Sequence, residues 1–430
     1  MEFSELFTQS AREVLPLARA KGLVSYFDYR GPYVEMPGGD AGTRAGIHRI
    51  LLGMTDCLEA GFVMFSAEVE PPIAGVSEVV IHAAGTGVKA TAEAVAQVLQ
   101  RLQLHPLPTP GDRTSRATGS CPASAGTVEF VDAGHEGQVI TLRTRFAAIE
   151  VPGAEPLPDA AGALAWLVSP VPGSMDSVGR RLHRLGWRMQ SFRSLQEARA
   201  LVHAPEDGGQ RLPMLLLVSE FSELDLAHME PMAAAVPSMW TVLAVLAGSP
   251  TVQARGATPV DIRLLPLSPQ ELERFTAHVD RRTSTTESRE TSPSPLYTPY
   301  SGLVLVVDDS MVNQLVARGQ LEALGYEVAV VSNGADALAF CSQQPPDMIL
   351  MDIDMPVMGG LEATERLRAS QEIGTLPPFP IVAATADDSQ LRRHDCLTVG
   401  MDGCLAKPID LFALADEIHR VLPTRPMGPG

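Results

Sequence analysis

The chain has 430 residues, which suggests about three domains at roughly 150 residues each. Apolar residues make up 45% of it, enough for every domain to bury a core, and the formal net charge is -18. That balance argues against a nucleic-acid binder, which needs a basic face, and against docking on an anionic membrane surface.

Lysine occurs only at Lys21, Lys89 and Lys407, so a lysine at a motif position carries extra weight. The five cysteines (Cys57, Cys121, Cys341, Cys396, Cys404) have no C-x-x-C spacing. They read as reduced thiols rather than a zinc site or a disulfide framework. No apolar run reaches the roughly 18 residues that span a bilayer, and MEFSELFTQS has no basic-then-apolar signal pattern. A cytoplasmic protein is expected.

In chain order, the first block runs over residues 1–156. It opens with a helical pattern, Phe3 to Ala20, and a short strand, Leu23 to Tyr29. A second helix, Thr43 to Glu59, carries Ile47, Ile50, Leu51, Met54 and Leu58 at helical spacing. Two alternating strands follow, Phe62 to Glu70 and Glu78 to Ala83. The glycine-containing stretch Ala84 to Gly87 then reads as a turn into a third helix, Ala90 to Leu104. Pro106 to Gly126 is rich in Pro, Ser and Gly and is expected to be loop. Strands at Gly126 to Asp132 and Gln138 to Phe146 close the block.

A second block covers 160–282 and a third 302–422. The Ser-, Thr- and Pro-rich stretch 283–301 between them reads as a flexible linker. The two blocks repeat each other: Trp166-Leu167-Val168-Ser169-Pro170 aligns with Leu305-Val306-Val307-Asp308-Asp309. Leu185-Gly186-Trp187 and Leu324-Gly325-Tyr326 then fall at the same distance downstream. Short apolar strands alternating with amphipathic helices predict a parallel α/β sheet in each.

In the third block the chemistry-bearing residues fall at strand ends. Asp308 and Asp309 follow Leu303 to Val307, and Asp352 follows Met348 to Met351. Side chains at the carboxyl ends of neighbouring parallel strands converge on one crevice. Three acids gathered there repel one another unless a cation is present, and oxygen ligands suit Mg²⁺. Thr385, after Ile381 to Ala384, adds a hydroxyl, and Lys407, before Pro408, adds a positive charge. A lone aspartate at a strand end more often caps a helix than binds a metal. All five together, in that order, point to stabilisation of a transferring phosphoryl group.

Residues 302–422 resemble the receiver domain of response regulators and hybrid histidine kinases, most specifically at Met351-Asp352-Ile353-Asp354-Met355-Pro356-Val357-Met358-Gly359-Gly360. The resemblance implies that Asp352 takes a phosphoryl group from a phosphohistidine. It implies a Mg²⁺ ion held by Asp308, Asp309, Asp352 and the backbone carbonyl of Asp354, with Thr385 and Lys407 binding the acyl phosphate. Cys404 stands where the family has an aromatic switch residue, and Asp354 and Asp387 occupy positions that tune phosphate lifetime there.

By the repeat, the second block resembles a receiver that has lost its chemistry. Ser169 and Pro170 replace the acidic pair, and Ser219 replaces the acceptor, with Glu220 beside it. Ala247 or a neighbour replaces the threonine, and Leu265-Pro266 replaces Lys-Pro. The first block resembles, more weakly, the ATP-binding domain of histidine kinases. The likeness lies in Leu15 to Leu23, in Gly39-Asp40 followed by Ile47 to Met54, and in Ala83-Ala84-Gly85-Thr86-Gly87. There Cys57 replaces the asparagine that holds Mg²⁺ and Ala83 the aspartate that binds adenine. None of the ten histidines has the context of the family's phosphorylated residue, and His48 and His82 read as structural.

The expected architecture is therefore α/β throughout: an α/β-sandwich ATPase-like domain followed by two flavodoxin-like (βα)5 receiver domains. The expected protein is a two-component phosphorelay component and pseudokinase. It accepts phosphate from a histidine kinase or histidine phosphotransfer protein and acts on a downstream protein partner. A homodimer fits this scheme. No DNA-binding output domain is expected after Leu422, so output by protein contact is expected. A divergent ATP-binding hybrid kinase and an unphosphorylated adaptor are the alternatives.

Overall fold

Helix α1 (Phe3–Ala20) brings Phe3, Leu6, Phe7, Val14 and Ala18 onto one buried stripe, the spacing of an amphipathic helix. The Glu2 carboxylate caps it, accepting from the Ser4 N–H at 2.7 Å and the Glu5 N–H at 3.2 Å. The structure is a computed structural model. It describes residues 2–36, 41–107, 115–121, 126–134, 137–150, 158–170, 175–202, 212–219, 225–254, 256, 258–283, 302–386, 390–409 and 411–422. Among these no helix is long and apolar enough to cross a membrane.

After α1 come β1 (Leu23–Arg30), β2 (Val34–Glu35), α2 (Ala41–Asp56), β3 (Leu58–Val69), β4 (Val76–Lys89) and α3 (Ala92–Arg101). The unit continues with β5 (His105–Leu107), β6 (Ser115–Cys121), β7 (Gly126–Asp132), β8 (Gln138–Ala147) and β9 (Ile149–Glu150). Seven strands form a mixed sheet in the order β1-β3-β4-β8-β7-β6-β5, with β1 parallel to β3 and the other pairs antiparallel. β2 pairs with β9 separately.

Two expectations are corrected here. The glycines at 85 and 87 do not form a turn: β4 runs on to Lys89, and Gly87 lies opposite Gly61. Gly87 has φ 131°, and a Cβ there would stand 2.3 Å from the Ala60 carbonyl oxygen, so close strand approach demands glycine. The Pro106 to Gly126 stretch is not simply loop, since β5 and β6 form the sheet's far edge. β5 is only three residues long and β6 is mostly small or polar, so a reading of apolar alternation does not reveal this edge.

The next unit contains β10 (Leu164–Val168), α4 (Asp176–Arg184), β11 (Arg188–Phe192), α5 (Leu195–Val202) and β12 (Leu215–Ser219). It closes with α6 (Asp225–Ala235), β13 (Trp240–Val245), β14 (Asp261–Leu264) and α7 (Pro269–Thr283). The last unit contains β15 (Leu303–Val307), α8 (Met311–Ala323), β16 (Glu327–Val331), α9 (Gly334–Gln343) and β17 (Met348–Asp352). It closes with α10 (Gly360–Glu372), β18 (Ile381–Thr385), α11 (Gln390–Thr398), β19 (Gly403–Ala406) and α12 (Leu411–Val421).

The two sheets share one topology. Their strand orders, β11-β10-β12-β13-β14 and β16-β15-β17-β18-β19, are the flavodoxin-like order, with all neighbours parallel. Register refines the sequence repeat. Asp352 pairs with Ala384 and Ser219 with Ala244, so Ser219 does stand at the acceptor position. Thr385 pairs with Ala406 and Val245 with Leu264, so Val245 rather than Ala247 stands at the threonine position.

The first sheet is covered on both faces. Val63, Phe65 and Ala67 of β3 enter the core under α1 and α2, while Phe62 and Met64 face the other way and join a core shared with α8 of the last unit. Burying side chains of that size is worth roughly 2 kcal/mol each. Polar contacts also link the first unit to the second. Arg12 reaches Glu271 at 2.7 Å and the Leu264 and Pro266 carbonyls at 3.2 Å, and Arg181 donates to the Tyr33 hydroxyl at 2.9 Å.

His82 is buried beside the Thr141 hydroxyl, 3.1 Å from its Nδ1, and burial pushes its pKa down to about 4. The folded chain therefore keeps it neutral where the unfolded chain takes up a proton. Stability from this group is full above the ordinary histidine value and is lost as pH falls from there through about 4. His82→Gln is expected to shrink the drop in urea stability between about pH 7 and about pH 4.5 by about 2 kcal/mol.

Candidate phosphoacceptor site

β15 and β17 are adjacent parallel strands with every residue but Leu303 buried, so their carboxyl ends open onto the same rim of the sheet. Asp352 is the last residue of β17, and Asp308 and Asp309 directly follow β15. Carboxylate oxygens of all three lie within 4.8 Å of one another. Asp308 and Asp352 are buried and Asp309 is exposed, so the cluster opens to solvent on one side.

Lys407 follows β19 and reaches across the rim. Its Nζ lies 2.8 Å from Asp308 Oδ2 and 3.0 Å from Asp352 Oδ2, with all three side chains under 10% exposed. Burial disfavours the ammonium charge, but the two aspartates outweigh burial and raise the Lys407 pKa. Burial also raises the Asp352 carboxyl to about 6; Lys407 opposes this and the neighbouring Asp308 adds to it. Three carboxylates and one ammonium leave two negative charges uncompensated. A divalent cation with a preference for hard oxygen donors matches that charge and donor set.

Thr385 ends β18 beside this rim, almost fully buried, and its carbonyl accepts from the Lys407 N–H at 2.7 Å. Asp354 lies two residues past the acceptor and is exposed. The glycine at 360 has a physical reason: a Cβ there would stand 2.1 Å from the Asp352 carbonyl oxygen, so only glycine lets α10 begin against the strand end. Cys404 lies in β19 opposite Ala383. Asp387 and Glu220 lie outside the described residues, as do Gly39 and Asp40.

Sequence reading missed one member of the site. Asn313, in the first turn of α8, donates from Nδ2 to both Asp308 oxygens at 3.0 Å, and the Ser310 N–H donates to Oδ1 at 2.9 Å. Asn313 thereby holds the carboxylate that Lys407 also grips. Its signal was its place one helical turn past the acidic pair, facing the same crevice.

At the corresponding rim of the second unit, the described residues at the acid, acceptor and Lys-Pro positions are Ser169, Pro170, Ser219 and Leu265-Pro266. Ser169, Pro170, Ser219 and Pro266 border a mostly apolar cavity of about 320 Å³, closed on its other side by Leu23 and Phe27 of the first unit. In the first unit, Cys57 and Ala83 are fully buried in one apolar core. A Cβ on Gly85 would meet Leu58 Cδ1 at 2.4 Å, so side chains fill the space around that glycine. His48 lies 3.2 Å from Glu13 on the first unit's surface.

Residues 304–419 match the family described as "Response regulator receiver domain". This part of the chain is therefore a receiver domain, the phosphoacceptor module of two-component signalling, with the flavodoxin-like fold described above. The sensor histidine kinase RcsC of Salmonella typhi is 37% identical over 127 residues, 29% of this chain and 13% of that protein. The hybrid signal transduction histidine kinase E of Dictyostelium discoideum is 36% identical over 126 residues, 29% of this chain and 7% of that protein. The chain thus spans only a small part of the curated relatives it matches. Among solved structures, the receiver domain of a sensor histidine kinase from Pseudomonas aeruginosa PAO1, with a magnesium ion coordinated in its active-site cleft, is 37% identical. That match covers 28% of this chain and 97% of the other, with a TM-score of 0.26.

Proposed function

We propose that this chain is a phosphorelay component that takes a phosphoryl group on Asp352 from a phosphohistidine of a histidine kinase or phosphotransfer protein. The observation that carries this reading is the buried triangle of Asp308, Asp352 and Lys407 beside the exposed Asp309. In the transfer, an Asp352 carboxylate oxygen attacks phosphorus, the phosphorus–nitrogen bond breaks, and its electron pair stays on the donor imidazole, which takes a proton. Lys407 supplies positive charge where the phosphoryl oxygens gather, and the Thr385 hydroxyl is the donor on the neighbouring strand. Mg²⁺ held by Asp308, Asp309, Asp352 and the Asp354 carbonyl would neutralise charge on the phosphoryl group.

The first unit acts as a pseudokinase and the second as a receiver-like spacer. Cys57 and Ala83 give the first no polar group for metal or adenine, and the second has Ser219 and Leu265 where the acceptor and lysine stand. Output passes to a downstream protein partner through contact.

Acetyl phosphate with Mg²⁺ is expected to label the full chain, and chelation of the metal is expected to stop it. Millimolar ATP is expected neither to label the chain nor to raise its melting temperature. Labelling by ATP would overturn the pseudokinase assignment; absence of labelling by acetyl phosphate would overturn the acceptor assignment. Because the Asp352 carboxyl titrates at about 6, protons compete with the metal below that value. Calorimetric Mg²⁺ affinity is expected to fall about tenfold for each pH unit below it.

A further inference from the structure

The first unit's sheet has an apolar face that its own helices do not cover. Val24 and Tyr26 of β1, Phe62 and Met64 of β3, Ala84 of β4, Val131 of β7 and Val139 of β8 point away from α1 and α2. They belong to one core with Val312, Val316, Ala317 and Leu321 of α8. The fit is close. A Cβ on Gly319 of α8 would stand 2.4 Å from Met64 Sδ, and one on Gly137, just before β8, would stand 3.4 Å from Val312 Cγ1. Ion pairs border it: Arg30 of β1 with Glu322 of α8, and Arg318 of α8 with Glu68 of β3 at 3.9 Å.

This contact reaches the phosphoacceptor site. Thr86 of β4 lines the same small cavity as Asp308, Asn313, Asp352 and Lys407. Two α8 side chains tie the helix to the site: Asn313 holds Asp308, and Gln320 donates to the Ile409 carbonyl at 2.8 Å, two residues past Lys407. One flank of the acceptor rim is therefore occupied by another part of the same chain.

We infer that the first unit is an intramolecular lock on the receiver: its sheet docks on α8 and withholds that flank of Asp352 from a phosphohistidine carried on a protein. The inference rests on the proposed role of Asp352 and adds its regulation. A small phosphodonor enters from the Asp309 side, where the cluster meets solvent, and is not affected by the lock. A protein donor needs room around the rim, so its apparent affinity is scaled by the fraction of molecules in which α8 is undocked. Because both parts belong to one chain, the lock re-forms at high effective concentration.

The test uses the full chain and two variants that open the contact from opposite sides. Gly319→Leu places a side chain against Met64, and Arg30→Glu, wholly within the first unit, sets like charge against Glu322. Hydrogen exchange of α8 amides is expected to rise in both. Phosphorylated histidine phosphotransfer proteins of known hybrid kinases are then screened on the variants until one labels Asp352, and that donor is offered to the unsubstituted chain. The unsubstituted chain is expected to be labelled about tenfold more slowly than the variants, with acetyl phosphate labelling all three at equal rates. Equal rates with the protein donor would overturn the lock. So would variants that accept phosphate from acetyl phosphate and from no protein donor. Failure of acetyl phosphate on all three would instead overturn the acceptor assignment itself.

Discussion

Asp352→Asn is expected to bring phosphoryl labelling down to background while making the metal-free protein more stable. The carboxamide has no anionic oxygen to attack phosphorus, so the transfer loses its nucleophile. In the metal-free chain the Asp352 carboxyl, raised to about 6, is an unfavourable charge at neutral pH. A raised carboxyl pKa stabilises the fold below the ordinary carboxylate range and withdraws that stabilisation as pH rises through the folded value. Asparagine removes the charge at every pH. At neutral pH it is expected to gain about 2 kcal/mol in metal-free denaturant unfolding and to change little where Asp352 is already protonated. Activity lost together with stability gained separates loss of the nucleophile from loss of fold.

The second large effect is expected at Lys407. Its ammonium sits between two carboxylates at 2.8 and 3.0 Å, with all three side chains nearly out of solvent. Removing one partner of such a group leaves buried charge uncompensated, which costs about 3 kcal/mol. Lys407→Met keeps the length and removes the charge. It is expected to lower metal-free stability by about that amount, and saturating Mg²⁺ is expected to restore most of it by neutralising the same carboxylates. Phosphoryl labelling is expected to fall even at saturating metal, because the charge that meets the phosphoryl oxygens is gone. A variant as stable as the parent without metal would mean that Asp308 and Asp352 do not depend on Lys407.

Much of the receiver was legible because its chemistry lies at strand ends. Three short apolar runs, each followed by the acids or hydroxyl it positions, together with the lysine before Pro408, mark a parallel sheet and which side chains meet at its rim. The repeat in the second unit was legible for the same reason, and strand register then moved the threonine position from Ala247 to Val245. The reading failed where a local signal has two causes. Gly85 and Gly87 look like a turn, but they are the price of a close strand crossing opposite Gly61. β6, Ser115–Cys121, has too few apolar residues to announce an edge strand.

Asn313 and the docking of α8 were hidden for a different reason, since both depend on how separate elements pack. Phe62-Val63-Met64-Phe65 is apolar at every position, which marks a strand buried on both faces. Nothing in that pattern says what covers the second face. Only the fold brings Met64 against Gly319, more than two hundred residues away in sequence.

The central claim is that Asp352 forms an acyl phosphate. It is tested most directly by treating the full chain with acetyl phosphate and Mg²⁺, reducing with borohydride, and mapping the product by tandem mass spectrometry. Reduction converts an aspartyl phosphate to homoserine. The account predicts homoserine at position 352 and nowhere else, dependent on the metal. Homoserine at another aspartate, or none at all in folded, metal-loaded protein, would contradict it.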